Sequence, residues 1–429
     1  MLITKRNRKK LNVLITGSYC SLNNGDLAMV KGLLSSLGRC LPQAVFTVFS
    51  MYPNIAPERY GVRTVGIPIE PKRSYAFRLG RILLPALLHR ALCGRLPSVM
   101  RNADFAEYYN ADIVIDLSGD AYSDEETPLA TILHSFYLFP AIMLKRPTAI
   151  CAQSIGPFKT RFTKALARWV FNRTDLITTR EESSKHYLNE FGLDKVVTTA
   201  DCAFLLPPVG NEQIKMMMAS QRIPLHNGIL IGISMSKRVA KWAFPGIHKV
   251  DQKYEAFVSL MAGFSDYLIK HYDARIIYVP HVIGPPGKTD DRVVQRDIIS
   301  LMKCQDRAYP LEREFLPKEI KGIVGQCDLF VGARMHSLIA ATSMGVPSIA
   351  LSYSHKYHGV IGQMLGLSDY IIDIRELSPD QLAQKLVEET RNLWKERIKV
   401  RTHLENTVPL VQQRAQENVD LILKVLNLP

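Results

Sequence analysis

The chain has 429 residues, of which 47% are hydrophobic and 22% are charged, and this composition is that of a globular protein with two or three domains. It excludes a disordered, collagen-like or fibrous chain. Lysine and arginine number 54 against 40 aspartates and glutamates, which gives a net charge of +14. Such an excess favours an anionic partner: nucleic acid, a membrane surface, or a small phosphorylated or carboxylated molecule.

The cysteines and the apolar segments indicate the cellular setting. The seven cysteines contain no CxxC pair, which argues against a disulfide framework and against a structural zinc site. No run of 18 apolar residues predicts a spanning helix, and the first apolar run, 13–16, is too short for a signal peptide. We therefore expect a cytoplasmic protein, with peripheral contact at the inner face of the membrane as a further interpretation.

Short apolar strands alternate with helical segments along the chain. Most of these strands are continuous apolar runs, as is typical of parallel strands that are covered on both faces. The alternation predicts α/β domains with parallel sheets. The predicted strands, in chain order, are 13–16, 45–49, 113–117, 148–152, 176–179, 196–199, 229–234, 275–279, 328–331 and 347–351.

A proline-rich stretch, 207–227, predicts the boundary between two such domains. We expect an N-terminal domain over 1–207, a C-terminal domain over 227–378 and a helical C-terminal segment over 379–429. Each of the two domains then has about 200 residues or fewer, which is an ordinary domain size.

The stretch 71–103 has seven lysines or arginines and no aspartate or glutamate, with apolar residues between the cations. Two interpretations stay open. The stretch is a basic amphipathic segment that lies on an anionic membrane surface, or a solvated basic helix that packs on its domain through leucines.

Polar residues follow several strands at their carboxyl ends, where open α/β sheets bind ligands. Asn24, Gly25 and Asp26 open a helix after the first strand, in a turn that is neither GxGxxG nor a P-loop. Asp26 either accepts hydrogen bonds from sugar hydroxyls and acts as a general base, or caps the helix. Asp120 follows the strand 113–117. Arg180 follows the strand 176–179 and either binds an anion or pairs with a nearby glutamate.

The sharpest signal lies in the second half, where 332–337 leads from a strand directly into a helix of small residues. The window from Asp328 to Asp369 contains no acid between its ends. Cationic donors at a helix N-terminus with no acid nearby predict an anion site, and the spacing matches no zinc motif. The structural alternative is a buried helix with one surface arginine. The cationic or titratable residues of this window are Arg334, His336, His355, Lys356 and His358.

Two further loops follow predicted strands. Pro280 and His281 come after the strand 275–279. The loop 284–291 is interpreted as a cover for the ligand cleft. We rank both loops below the window around Arg334.

Motifs follow several of these strands in a fixed order along the chain. They are Asn24-Gly25-Asp26 with Ala28, Ser118-Gly119-Asp120, Gln153-Ser154-Ile155-Gly156-Pro157, Arg180-Glu181, Asp201 with Phe204, Arg334-Met335-His336-Ser337, Gly345-Val346-Pro347 and Lys356. This ordered series resembles the polysaccharide pyruvyl transferase family, from about residue 12 to about residue 367. The resemblance implies two Rossmann-like domains whose parallel sheets face a central cleft, as in B-type glycosyltransferases.

The resemblance also implies a reaction. The donor would be phosphoenolpyruvate and the acceptor a glycan or lipid-linked sugar, with a pyruvate ketal formed and phosphate released in cell-surface polysaccharide biosynthesis. No metal and no further cofactor is expected. The residues implied for the donor are Arg180, Arg334, His336 (also the general acid) and Lys356. The residues implied for the acceptor, on the side of the N-terminal domain, are Asn24, Gly25, Asp26 (also the catalytic base) and Asp120.

Two other functions are weighed. A glycosyltransferase or sugar-nucleotide enzyme of the same fold often binds the nucleotide ribose with a glutamate in the corresponding helix, but 337–344 contains no acid. A nucleic-acid-binding protein is supported only by the net charge, because no RNA- or DNA-binding motif is present. We keep the nucleotide-sugar enzyme as the alternative and expect no nucleic-acid partner.

Overall fold

The computed structural model describes residues 10–92, 102–125, 127–224, 228–286 and 289–428. The chain divides into two compact units. The first unit comprises Met1–Ser21, Met29–Leu205 and Arg414–Pro429, and the second comprises Leu22–Ala28 and Leu206–Gln413. Each unit is built on a parallel sheet with helices, which confirms the predicted fold class of two α/β domains.

The first unit contains a seven-stranded parallel sheet with the order β3-β2-β1-β4-β5-β6-β7. Its central strands β4 and β5 are buried along their whole length, and in β4 the side chains of Ile113, Val114 and Ile115 have no exposed surface. The strands are β1 (Asn12–Ser18), β2 (Val45–Ser50), β3 (Arg63–Val65), β4 (Ile113–Asp116), β5 (Thr148–Gln153), β6 (Leu176–Thr179) and β7 (Val196–Thr198).

The second unit contains a six-stranded parallel sheet with the order β10-β9-β8-β11-β12-β13. Neighbouring strands are paired by backbone hydrogen bonds in parallel register, for example Val331 with Ile233 across β11 and β8. The strands are β8 (Leu230–Ser234), β9 (Arg275–Tyr278), β10 (Ala308–Pro310), β11 (Leu329–Gly332), β12 (Ser348–Ser352) and β13 (Ile371–Asp373).

Helices connect the strands, and several begin at side chains that cap the first turn. Asn102, Thr160 and Asp290 each accept a hydrogen bond from a backbone N–H of the helix that follows. No helix in the described part of the chain is long and apolar enough to cross a membrane. The helices are α1 (Asn24–Cys40), α2 (Lys72–Ala91), α3 (Ala103–Asn110), α4 (Pro128–Met143), α5 (Arg161–Phe171), α6 (Glu182–Glu190), α7 (Asn211–Ser220), α8 (Lys237–Trp242), α9 (Val250–Tyr272), α10 (Asp291–Leu301), α11 (Pro317–Val324), α12 (Met335–Thr342) and α13 (Pro379–Val425).

The ten predicted strands are all present, each within two residues of its predicted ends. The sequence does not predict β3, β10 and β13. Each of these is a three-residue strand at the edge of its sheet, bonded to one neighbour and incompletely buried. A short edge strand needs no continuous apolar run, so the pattern that identifies the central strands is missing there.

The unit boundaries differ from the predicted domain boundaries at Leu22–Ala28 and at the C-terminal end of the chain. Leu22–Ala28, expected in the N-terminal domain, belongs to the second unit because its backbone bonds to the loop after β9: Asn24 N donates to His281 O at 3.0 Å, and Ile283 N to Leu22 O at 3.0 Å. The predicted linker 207–227 contains α7, and its residues 225–227 lie outside the described residues.

The end of α13, expected to form a separate C-terminal segment, packs on the first sheet. The buried side chain of Asn418 accepts hydrogen bonds from Thr178 Oγ1 at 2.6 Å and Thr199 Oγ1 at 2.8 Å. Its amide group donates to Ala200 O at 3.0 Å. Asn418 therefore anchors the C-terminal end of the chain to strand β6 and to the loop after β7.

Candidate active site

The site in the second unit lies where the strand order of the sheet reverses. Strands β9 and β10 extend the sheet on one side of β8, and β11, β12 and β13 extend it on the other. Such a switch point places a crevice beyond the carboxyl ends of the strands, where ligands of α/β proteins bind. His281 follows β9, and Arg334 follows β11 as the N-cap residue of α12.

Arg334 is held by Asp291, the first residue of α10. Its Nη2 donates to Asp291 Oδ1 at 2.7 Å, and its Nε donates to Oδ2 at 3.3 Å. The same carboxylate, which is 2% exposed, accepts the backbone N–H groups of His281 at 3.2 Å and of Val282 at 2.8 Å. One buried carboxylate therefore fixes both the guanidinium group and the loop after β9.

The loop after β12 lies beside Arg334. Tyr357 Oη donates to the carbonyl oxygen of Ala333 at 3.0 Å, which joins this loop to the turn before α12. Lys356 belongs to the same loop, with Nζ 5.9 Å from the ring centroid of Tyr353. Burial alone would lower the pKa of Arg334, but Asp291 and these tyrosines raise it above its usual value. The guanidinium group is therefore charged at any physiological pH.

The segment Leu22–Ala28 packs against His336. A Cβ atom on Gly25 would lie 2.5 Å from His336 Nδ1, closer than two such atoms can approach, so this contact requires glycine. Asp26 is half-buried in the first turn of α1. The motif Asn24-Gly25-Asp26 therefore belongs to the same site as Arg334 and His336.

His281 is a second imidazole at this site. Its ring lies nearly parallel to that of His336, at an interplanar angle of 6° and a centroid distance of 6.4 Å. Among the described residues, neither ring nitrogen of His281 has a hydrogen-bond partner, although the residue is buried. Burial, then His336 and Arg334, hold the pKa of His281 well below its usual value. A neutral imidazole has one donor and one acceptor, so His281 can bind a polar ligand group through either nitrogen.

Arg180 and Asp120 lie in the first unit. Arg180 is 1% exposed; its Nη1 donates to Asp201 Oδ2 at 2.7 Å and its Nε to Ser154 Oγ at 2.8 Å. Burial would lower its pKa, but Asp201, Glu181 and the exposed Asp120 raise it. Of the two interpretations of Arg180, the structure shows the pairing with carboxylates. The carboxylate nearest to its guanidinium group is that of Asp201 rather than that of a glutamate.

The site differs from the sequence prediction because the charge of Arg334 is paired with a carboxylate. The acid-free window predicts cations without a carboxylate nearby, but Asp291, 43 residues earlier in the chain, supplies one. Asp291 lies in the loop 284–291, which is interpreted from the sequence as a cover for the cleft. Residues 287 and 288 of this loop lie outside the described residues. The sequence signal that could have identified Asp291 is an Asp-Asp pair that begins a helix after a strand. Asn24, Gly25 and Asp26, expected in the N-terminal domain, also lie in the second unit.

No group of three or more His, Cys, Asp or Glu side chains within the described ranges is arranged to hold a metal ion. The groups that the site presents are a fixed guanidinium, two imidazoles, a lysine and the carboxylate of Asp26. This set is suited to anion binding and proton transfer.

A sequence profile of the polysaccharide pyruvyl transferase family matches residues 23–355. The match includes Asn24-Gly25-Asp26, Arg334 and His336. The chain belongs to the polysaccharide pyruvyl transferase family. A relative of this family member is the amylovoran biosynthesis protein AmsJ of Erwinia amylovora, which is 24% identical over 401 residues that cover 88% of this chain and 91% of AmsJ.

Solved structures share the fold of this pyruvyl transferase family member. One of them is the UDP-GlcNAc 2-epimerase of Neisseria meningitidis, bound to UDP-GlcNAc, with a TM-score of 0.59 and a sequence identity of 12%. The match covers 97% of this chain and 99% of the epimerase chain. A glycosyltransferase of Rickettsia africae has a TM-score of 0.55 at 14% identity, with 98% and 99% covered. At these identities the similarity shows the fold, which is that of B-type glycosyltransferases and related epimerases.

Replacement of Gly25 by alanine tests the packing of the site. The new methyl group must displace the His336 ring, so Gly25→Ala is expected to lower the free energy of unfolding by about 1–3 kcal/mol. Gly38 lies in the same helix and has open space around a Cβ atom. Gly38→Ala is expected to raise stability by up to about 1 kcal/mol. Urea unfolding of both variants measures this; equal stabilities would contradict the described contact.

The lowered pKa of His281 predicts how stability depends on pH. The unfolded chain takes up a proton near pH 6.5 and the folded chain does so only at lower pH, so stability falls as pH decreases below about 6.5. His281→Gln is expected to remove about 1–2 kcal/mol of the loss between pH 7 and pH 5. His248→Gln, at an exposed histidine, is the control. Urea unfolding of both variants at pH 7 and pH 5 measures this difference. An equal loss of stability in the two variants would contradict the prediction.

Proposed function

We propose that the protein transfers the pyruvyl group of phosphoenolpyruvate to two hydroxyls of a glycan sugar and releases phosphate. The observation that carries this proposal is the arrangement of Arg334 and His336 at the start of α12, in a chain of the polysaccharide pyruvyl transferase family. Phosphoenolpyruvate carries a carboxylate and a phosphate, and its reaction needs a proton donor. A fixed guanidinium group next to an imidazole supplies anion binding and a proton.

The Asp291 contact defines how the donor would bind. Asp291 occupies the Nε–Nη2 edge of Arg334, so an anion would meet the Nη1–Nη2 edge. The N-terminal amides and the dipole of α12 would attract the same anion. Lys356, in the loop tied to the turn before Arg334, would add a second cation for the departing phosphate.

The proposed reaction divides proton transfer between His336 and Asp26. His336 protonates the C3 methylene of the donor as the first sugar hydroxyl attacks C2 and loses its proton to Asp26. The C2–O bond to phosphate then breaks, and the second hydroxyl attacks C2 to close the ketal. Two hydroxyl protons are released in total. One replaces the proton that His336 gave to the C3 methylene, and the other leaves with phosphate. Because His281 is held neutral beside it, a protonated His336 meets no second imidazolium charge.

Two site residues of the first unit keep their predicted roles as parts of the proposal. Arg180 would contribute to donor binding while its guanidinium stays paired with Asp201, and this pairing would orient it. Asp120, which is exposed, would accept hydrogen bonds from the acceptor sugar.

The acceptor is proposed from the family and from AmsJ. Both support a role in exopolysaccharide biosynthesis, with a glycan or a lipid-linked sugar as acceptor. The alternative, an enzyme that uses a nucleotide sugar, is supported only by a shared fold at 12–14% identity. Helix α12 contains no acid that could bind a ribose.

A matched pair of arginine variants tests the assignment. Arg334 pairs with Asp291, and Arg292 pairs in a similar way with the neighbouring Asp290. Arg334→Ala is expected to lower kcat/KM for phosphoenolpyruvate about 100- to 1000-fold, because a charged contact in the transition state is lost. Arg292→Ala is expected to stay within about threefold of wild type.

The measurement is phosphate release from phosphoenolpyruvate, with membranes of the source cells as the supply of glycan acceptor. Circular dichroism melting checks that each variant is folded. If a folded Arg334→Ala variant released phosphate at the wild-type rate, the assignment of the site would be overturned.

A further inference from the structure

We propose that the outer face of helices α2, α4 and α5 in the first unit docks on an anionic membrane surface. The three helices lie side by side: α2 packs on α4, and α4 packs on α5. The two features that support this proposal are their charge and their exposed apolar side chains.

The charge carried by these three helices has one sign, and Asp104 at the start of α3 is a neighbouring carboxylate that interacts with Arg78 and Arg81. None of the three helices contains an aspartate or a glutamate. Cations on α2 and α5 are exposed, among them Arg78, Arg81, Arg90, Arg161 and Lys164. A surface of this kind attracts the negative charge of anionic lipid headgroups. The stretch 71–103 that the sequence singles out supplies α2, and its residues 93–101 lie outside the described residues.

Large apolar side chains are exposed on the same helices. Phe77, Leu84 and Leu87 on α2 are 71%, 52% and 45% exposed, Leu129 on α4 is 53% exposed, and Phe162 on α5 is 63% exposed. Single exposed apolar residues are common on proteins and need no explanation. Here five of them lie on three neighbouring helices that carry no acid, and exposed apolar side chains concentrated in this way indicate an interaction surface.

The arrangement around α2 is that of an interfacial helix. At about 100° per residue, Phe77, Leu84 and Leu87 fall within about 80° of arc. Arg78 and Arg81 lie on one side of this arc and Arg90 on the other, whereas the buried Ile82 and Ala86 lie opposite to it. An apolar centre between flanking cations matches the boundary between acyl chains and headgroups. A nucleic acid would engage the cations but would leave the apolar centre in water.

This docking does not depend on the proposed pyruvyl transfer. It would place the enzyme at a surface where lipid-linked glycans are found, but a membrane-bound protein with another activity would show the same binding. The test therefore uses lipid binding as its readout rather than phosphate release.

The test is co-sedimentation of the full chain with vesicles of phosphatidylglycerol and phosphatidylcholine, and with vesicles of phosphatidylcholine alone. Wild type is expected to sediment with the anionic vesicles at 0.1 M salt and to bind neutral vesicles at least tenfold more weakly. The double variant Arg78→Gln/Arg81→Gln is expected to lose about fivefold in affinity for each cation removed. The triple variant Phe77→Ser/Leu84→Ser/Leu87→Ser is expected to lose at least tenfold.

Matched controls come from the part of helix α13 that belongs to the second unit. Ile398→Ser removes a side chain as exposed as Phe77, at 71%. Lys385→Gln/Lys395→Gln removes two exposed cations and tests whether the binding follows overall charge. Both controls are expected to bind like wild type. Because every changed side chain is exposed, the melting temperatures should agree within a few degrees.

Three outcomes would overturn the proposal. The first is that wild type fails to sediment with anionic vesicles. The second is that the α13 variants lose as much affinity as the α2 variants, which would assign the binding to net charge. The third is that a duplex DNA of random sequence binds to this face and vesicles do not.

Discussion

Asp291 holds three groups of the second-unit site at once: the guanidinium of Arg334 and the backbone N–H groups of His281 and Val282. Because the carboxylate is buried, loss of its partner would leave an uncompensated charge, which costs about 3–5 kcal/mol. The turn after β11 and the loop after β9 are therefore coupled. The two hydrogen bonds to Asp291 orient the guanidinium of Arg334, and preorganisation of this kind is what electrostatic catalysis needs.

The rest of the site depends on that coupling. The loop after β9 also receives the backbone N–H of Asn24, so the position of the Asn24-Gly25-Asp26 motif follows from the loop that Asp291 fixes. Gly25 in turn leaves just enough space for His336. The proposed acid, His336, and the proposed base, Asp26, are thus placed by one connected set of contacts. The first unit has its own buried pair, Arg180 with Asp201, which orders the ends of β6 and β7.

The sequence predicted the central strands and the place of Arg334 and His336 after one of them, but not the long-range partners. Continuous apolar runs identified the buried strands, and the strand-to-helix corner at Arg334 and His336 was visible from residue type and spacing alone. Asp291 was missed as a partner because its contact with Arg334 joins positions 43 residues apart, and no local pattern encodes that contact. Gly25 resembled a helix-opening turn residue, and only the packing against His336 shows why glycine stands there. Its neighbours, expected in the N-terminal domain, group with the second unit because chain order and compact packing diverge over Leu22–Ala28.

The central claim is that the site around Arg334 is built for phosphoenolpyruvate rather than for the nucleotide sugars that enzymes of the same fold bind. Isothermal titration of the full chain with phosphoenolpyruvate and, separately, with UDP-GlcNAc tests this claim most directly. We predict saturable binding of phosphoenolpyruvate in the micromolar to millimolar range, weakened at least tenfold by Arg334→Ala, and no saturable binding of UDP-GlcNAc. Saturable binding of UDP-GlcNAc with none of phosphoenolpyruvate would contradict the account.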